Sequence, residues 1–256
     1  MSGAKRPYFE IANPEICGLL KTLPRELEVL DIGCGSGVHG AELTRVYGHR
    51  VTGVDCAHES IKKARTRLAE AHIGDVTRPE LYPFLKTRRF DVIVFSDILE
   101  HLYDPAGVLR DHLFLLRRGG HVLISIPNVA IWNVRASLLM GRFQYQDTGT
   151  LDRTHIRFFT RKSVRSLIEG AGIRIDGARI TPGILRPLVP MVKKVYRTAG
   201  PLDSSSDSAS IMDSGPYRFY VKWLYPLEKL LCNLAPGLLA FQFVTIGKPG
   251  IAQGRK

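Results

Sequence analysis

The chain has 256 residues, 45% of them hydrophobic and 23% charged, enough for one sizeable α/β core with additions. Its four cysteines, Cys17, Cys34, Cys56 and Cys232, are scattered without a C-x-x-C pair, which argues against a disulfide framework or a zinc site, and Met1 to Pro7 is polar and basic rather than a secretory leader, so the expected setting is a reducing cytoplasm. The excess of 36 Lys and Arg over 24 Asp and Glu gives +12, which fits an anionic partner (nucleic acid, a phosphorylated substrate or an anionic membrane surface) without choosing among them.

In chain order, Asn13 to Leu23 reads as a short leading helix and Glu28 to Ile32 as the first strand. The turn "LDIGCGSGVHG" follows, and a helix is expected over Ala41 to Tyr47. "RVTGVD" is a second strand ending in Asp55. Ile61, Ala64, Leu68 and Ala71 keep helical spacing and predict a helix over Glu59 to Ala71, with a short third segment at Ile73 to Val76. "FDVIVFSD", Phe90 to Asp97, is apolar enough to be buried on both faces. Asp104 and Pro105 open a helix expected to run to Arg118 and to stop at Gly119-Gly120, before a fifth strand at His121 to Pro127.

Beyond Asn128 the alternation lapses. Val129 to Gly141 reads as a lid helix, followed by a polar loop with aromatics. Thr160 caps a helix whose Val164, Leu167, Ile168 and Ala171 share one face, and a sixth strand is expected over Ile173 to Ile180. A long insertion, 183–237, precedes a last strand at Leu238 to Ile246. Strands alternating with helices imply right-handed βαβ units, a parallel sheet, and a ligand site at the carboxyl ends of its strands.

The glycine turn matches two nucleotide patterns. Gly33, Gly35 and Gly37 spell G-x-G-x-G, while Gly35, Gly37 and Gly40 spell G-x-G-x-x-G. Asp31, two residues before Gly33, argues for the first, because an acid there faces the cationic amino group of a methionine moiety. Asp55 suits the ribose hydroxyls of either ligand, and Asp75, in "GDV", suits the exocyclic amine of adenine.

At this point the chain resembles the class I S-adenosylmethionine (SAM)-dependent methyltransferases. "LDIGCGSG", "VTGVDCA", "GDV", "FDVIVFSDILEHLYDP" and "LLRRGGHVLISIPN" stand in the family's order and spacing across residues 28–128. The resemblance implies a seven-stranded Rossmann-like sheet in the order 3-2-1-4-5-7-6, its last strand antiparallel and helices on both faces. It implies one methyltransferase domain over 1–256: a SAM-binding core at 28–128, a lid and acceptor side at 129–160, and the helical insertion at 183–237. It also implies that Asp31, Gly33, Cys34, Gly35 and Gly37 cradle the methionine end and ribose, and that Asp55 holds the ribose. Cys56 and Asp75 then flank the adenine, and Ser96 borders the pocket where methionine and acceptor meet.

Methyl transfer asks the protein to align nucleophile, methyl and sulfur, and to remove a proton where the acceptor carries one. His101, after the fourth strand, and His155, in "LDRTHIRFFT", are the candidate bases. Arg153 and Arg157 could meet a phosphate or carboxylate of the acceptor. No dedicated metal cage is expected. "SDIL" stands where amino-methylating DNA enzymes carry a proline-aromatic motif, and no Pro-Cys nucleophile exists, so nucleic acid is the weaker expectation. The expected acceptor is the oxygen of a small molecule: a saccharide, lipid-linked or secondary metabolite, with an anionic acceptor also in keeping with the charge. The alternative is a quinone-type phenol, since "FDVIV" and "LEHLYDP" also resemble the ubiquinone-pathway O-methyltransferases. A rival from another class is a protein that holds SAM without turnover. The insertion interleaves Tyr217, Phe219, Tyr220, Trp223 and Tyr225 with Arg218, Lys222 and Lys229, which suits peripheral contact with a membrane surface or an amphiphilic substrate. A membrane span is not expected, because Asn233, Pro236-Gly237 and Gln242 interrupt the uncharged run.

Overall fold

The computed structural model describes residues 12–78, 87–185, 215 and 219–250. Seven strands form one sheet in the order β3-β2-β1-β4-β5-β7-β6. They are β1 (Glu28–Ile32), β2 (Arg50–Asp55), β3 (Glu70–Ile73), β4 (Phe90–Ser96), β5 (Leu116–Pro127), β6 (Ile173–Pro182) and β7 (Ala240–Pro249). The first five pair in parallel. β7 runs antiparallel: Asn128 N–H donates to Phe241 O, and Thr245 Oγ1 donates to Ile124 O, so one strand returns as the other advances. The expected sheet order and fold class are observed.

Two compact units make up the described residues. The larger lies within Ile11–Pro127, Thr154–Arg179 and Phe243–Lys256, the smaller within Asn128–Arg153 and Ile180–Gln242. In the larger unit, β1 and β4 are the sheet's centre. Leu30, Ile32, Ile93 and Phe95 are fully buried there, each worth about 1.5–3 kcal/mol relative to exposure. The helices are cut to cover them. In α6 (Arg161–Gly170) Val164 and Ile168 face inward, and Thr160 and Ser163 close a reciprocal capping box. In α4 (Pro105–Leu113) the Asp104 carboxylate accepts the Gly107 N–H at 2.8 Å, with Pro105 in the first position.

Several expected boundaries move, each for a local reason. The leading helix α1 is only Pro14–Leu20, capped by the Asn13 side chain. α2 starts earlier, at Val38, and runs to Tyr47. The helix expected to reach Ala71 is α3 (His58–Ala64), and β3 occupies Glu70–Ile73 rather than Ile73 to Val76. Leu68 explains the break. It is 7% exposed and fills the niche left by Gly37, Gly40 and Gly53, where a Cβ on Gly40 would stand 2.5 Å from its methyl. Arg67 Nη1 then ties the turn to Ser36 O at 3.1 Å. Gly119-Gly120 does not end a helix. α4 stops at Leu113, and the glycines lie inside β5, where Gly119 has φ +81° and the register against β4 shifts.

In the smaller unit, α5 is Trp132–Leu139. A π-helical turn at Tyr220–Leu224 leads into α7 (Tyr225–Leu234) and the short α8 (Pro236–Leu239). The expected elements at Leu185 to Arg197 and Gly200 to Pro216, and the aromatic-basic pair Tyr217 and Arg218, fall almost wholly outside the described residues. Glu228 and Cys232 of α7 point inward: Glu228 accepts the Tyr220 hydroxyl at 2.7 Å and the Leu185 N–H at 2.9 Å. Leu227, Leu230, Leu231 and Leu234, at i, i+3, i+4 and i+7, are 54%, 62%, 44% and 78% exposed. An amphipathic helix thus turns its apolar stripe outward.

Candidate active site

All the residues singled out for cofactor and base chemistry lie in the larger unit. They follow the carboxyl ends of β1 to β4, on either side of the point between β1 and β4 at which strand order reverses, with His155 on the segment 154–157. The turn after β1 is held to the end of β2 by Gly33 and Cys34 N–H groups donating to Val54 O at 2.8 and 3.1 Å. Gly33 has φ +73°, and a Cβ there would meet the Ile98 side chain at 2.8 Å, so only glycine fits. Gly35 has φ +52° with open space around its missing Cβ, and Gly37 caps α2.

The acids complete the cradle. Asp55 Oδ2 accepts the Gly35 N–H at 2.9 Å and its Oδ1 accepts the Ala57 N–H at 2.8 Å. Asp31 is 2% exposed, and its Oδ1 has no hydrogen-bond partner among the described residues. Burial, with the Asp55 charge as a second cause, pushes its carboxyl up to about 7. Two neighbouring acids, one with an orphaned oxygen, suit a ligand bearing an ammonium group and a diol. Asp75 is exposed just past β3, its Oδ1 accepting the Thr77 hydroxyl and N–H at 2.7 and 2.9 Å, and these bonds hold it below the usual carboxylate range. Cys56 is exposed beside Asp55. Cys34 is buried under Gly53, and burial followed by the Asp31 and Asp55 charges holds its thiol protonated.

On the acceptor side, Ser96 Oγ lies 3.2 Å from Ser125 Oγ, which donates to Asp97 Oδ1 at 3.2 Å. Asp97 has φ +52°, an outlier for a non-glycine residue, and it turns the chain out of β4. The turn Leu99–His101 follows. His101 Nδ1 lies 3.1 Å from Thr154 O. A carbonyl can only accept, so Nδ1 carries the proton and Nε2 of the neutral ring holds the lone pair. His155, 54 residues on, packs edge-to-face on His101 with ring centroids 4.8 Å apart. Its Nε2 is 3.9 Å from Glu100 Oε1, and both side chains are buried. Glu100 was not among the sequence candidates, although it adjoins His101. A glutamate in a turn gives no sign of burial. Of the two arginines, Arg157 donates to Tyr103 O at 2.6 Å, and Arg153, in the smaller unit, pairs with Asp147 at 3.0 Å.

Comparison with known proteins gives the family. A family described as a methyltransferase domain matches residues 8–176. The chain belongs to that family. A ubiquinone biosynthesis O-methyltransferase of Serratia proteamaculans is 36% identical over 105 residues, which are 39% of this chain and 42% of the relative. This methyltransferase therefore matches less than half the length of that relative. A putative sarcosine dimethylglycine methyltransferase from Galdieria sulphuraria superposes with a TM-score of 0.59 at 16% identity, covering 93% of this chain and 84% of the other. A phosphoethanolamine N-methyltransferase from Haemonchus contortus, crystallised with SAM, gives a TM-score of 0.54 at 17% identity, covering 92% and 52%. At these identities the likeness shows the fold. The methyltransferase uses SAM, as read from the sequence. Among the described residues no helix is long and apolar enough to cross a membrane.

Proposed function

We propose that this methyltransferase methylates the hydroxyl oxygen of an amphiphilic acceptor, a quinone-type phenol or a lipid-linked metabolite, met at a membrane surface. The observation that carries the oxygen reading is His101. Its Nδ1–H is held by the Thr154 carbonyl, so Nε2 of the neutral ring carries the lone pair, in the turn that follows β4.

Bound SAM supplies a methyl group on a sulfonium, electrophilic enough to need no further activation. The protein's share is binding and proton handling. Asp31 takes the methionine ammonium and Asp55 the ribose diol, while the open space at Gly35 lets the ligand approach the backbone of a turn that Gly33 and Gly37 shape. Cys34 packs beneath this turn, and Cys56, Asp75 and Ser96 border the adenine and acceptor sides. The acceptor hydroxyl gives its proton to His101 Nε2 as its oxygen takes the methyl, leaving a methyl ether, a thioether and an imidazolium. A phenol near pKa 10 and an imidazole near 6.5 are mismatched for prior ionisation, so the proton moves with the methyl rather than before it. His155 holds the His101 ring from its edge.

Two observations support the amphiphilic acceptor. The relative named above is a ubiquinone biosynthesis enzyme. The outward stripe of α7, with Trp223 60% exposed and Lys222 over its ring at 5.2 Å, has the mix of leucine, tryptophan and cation that lies flat on an anionic bilayer. This favours the quinone-type alternative over a water-soluble saccharide. The deciding experiment adds the protein and methyl-labelled SAM to an extract of its source cells and partitions the products. Label in the organic phase supports the reading. Label confined to water-soluble small molecules replaces it with a saccharide or other polar acceptor.

A further inference from the structure

We infer that Glu100 is a positioning residue for the base: its buried carboxylate, with the His155 ring between segments, orients His101 and balances the charge that His101 gains. The inference rests on His101 being the base proposed above.

A carboxylate 2% exposed is costly to bury unless a cation or proton is nearby for at least part of the cycle. Two bonds fix where it sits. Glu100 O accepts the N–H groups of both Ile156 and Arg157, each at 3.0 Å, so the turn after β4 and the segment 154–157 are stitched together at this residue. The same segment supplies the Thr154 carbonyl that fixes the His101 tautomer, and the His155 ring that packs on it. One nitrogen or oxygen from each of Glu100, His101 and His155 lies within 4.8 Å of the others. The charged groups on these elements are Glu100 and Asp97 on the stretch leaving β4, and His155 and Arg157 on the segment against it. Arg157 is engaged by the Tyr103 carbonyl, and Asp97 accepts from Ser125. With an oxygen within 4.8 Å of both imidazole rings, Glu100 is the carboxylate placed to answer a positive charge on His101. When Nε2 takes the acceptor's proton, the imidazolium forms against a fixed anion that needs no reorganisation. Phe158, 6.3 Å from the His155 ring, closes the cluster from the side.

The test follows the His101 ring by NMR in the full chain with labelled histidine, from pH 5 to 9, for wild type and Glu100→Gln. Glutamine keeps the shape and removes the charge. The expected result is a His101 titration midpoint lower by about one unit or more in the variant, a tenfold loss of proton affinity. SAM affinity should change less than twofold. A midpoint that moves by less than about 0.3 units in a variant that still binds SAM overturns the proposal. If Glu100→Gln does not fold, wild type alone decides: a His101 midpoint at or below the free value of about 6.5 overturns it. Broadening of the His101 and His155 signals by submillimolar Mn²⁺ also overturns it, making the cluster a cation site. If His101→Gln keeps its methyl transfer, the base reading fails while the titration still reports on Glu100.

Discussion

Gly35 donates its backbone N–H to Asp55 Oδ2 at 2.9 Å, so the glycine turn after β1 and the acid closing β2 are one device. The other oxygen of Asp55 caps the next turn through the Ala57 N–H. An Asp55→Ala variant loses the ribose contact and leaves two backbone donors without their acceptor. SAM affinity should fall at least tenfold by calorimetry. Stability should fall by about 0.5–1.5 kcal/mol, the net worth of a hydrogen bond whose donor water can still reach. Unchanged affinity would remove Asp55 from the site.

Asp31 makes SAM binding depend on pH. Without ligand its carboxyl is held up to about 7, because burial and the neighbouring Asp55 both disfavour its charge. A bound ammonium favours the ionised form, so binding must expel a proton below that pH. Affinity should therefore climb by up to about tenfold per pH unit towards 7, then level until the ligand's own amine, near 8, loses its proton. Calorimetry at pH 6.5 in two buffers of different ionisation heat should register proton release. Asp31→Asn should flatten the dependence. Equal affinity at pH 6 and pH 7.5 in wild type would show that the ammonium sits elsewhere.

His155→Ala should reduce turnover more than SAM affinity. Its ring packs on His101 and its Nε2 lies 3.9 Å from Glu100. Removing the ring lets His101 turn away and admits water to the cluster. A loss of about tenfold or more in the rate of label transfer, with SAM binding intact, is the expected outcome. Should both stay at wild-type values, His155 belongs to the scaffold.

The parts of this fold legible in the sequence are those whose signal is local. Val92 to Phe95 is apolar throughout and reads as a strand buried on both faces. Asp31, Gly33, Gly35 and Gly37 encode their turn by spacing. Other features depend on distant partners. Ile61, Ala64, Leu68 and Ala71 keep helical spacing, yet Leu68 leaves the helix because Gly40 and Gly53 open a niche for it. Gly119-Gly120 has the look of a helix stop, but positive φ also serves a bulge, and β4 decides which. Glu100 gives no sign of burial until residues 154–157 fold across it. The acceptor side is less legible than the cofactor side because its contacts join residues more than fifty positions apart.

Acid should destabilise the protein through its buried histidines. His112 is fully buried, its Nδ1–H donates to Val108 O at 2.8 Å, and its ring meets Phe95 edge-on. Burial lowers its pKa, as it does for His49 and His121, and it pushes His39 down to about 4. Each therefore takes up its proton at lower pH when folded than the unfolded value of about 6.5. Their stability contribution is complete above that pH and is lost as pH falls through it. Asp31, raised rather than lowered, works in the opposite direction, but one group stands against four. Urea unfolding should show stability dropping between pH 7.5 and 5.5, with a shallower slope in His112→Phe. A slope of the opposite sign would mean that Asp31 outweighs the histidines.

The outward stripe of α7 sets a test of membrane contact that leaves the active site alone. Leu230 and Leu234 are 62% and 78% exposed, while Glu228 and Cys232 on the same helix face inward. Replacing both leucines by glutamate costs little burial, so the fold and SAM affinity should hold. It puts two negative charges and two polar groups where the proposed contact needs apolar ones. Each buried leucine contributes about 1.5–3 kcal/mol to such an interface, so losing two should weaken partition onto anionic phosphatidylglycerol vesicles by at least tenfold in a sedimentation assay. Wild-type binding should also weaken as salt rises, since Lys222 and the overall charge of +12 act on the lipid surface through a screened field. If wild type shows no partition onto those vesicles, the stripe has another occupant, and the amphiphilic acceptor loses one of its two supports.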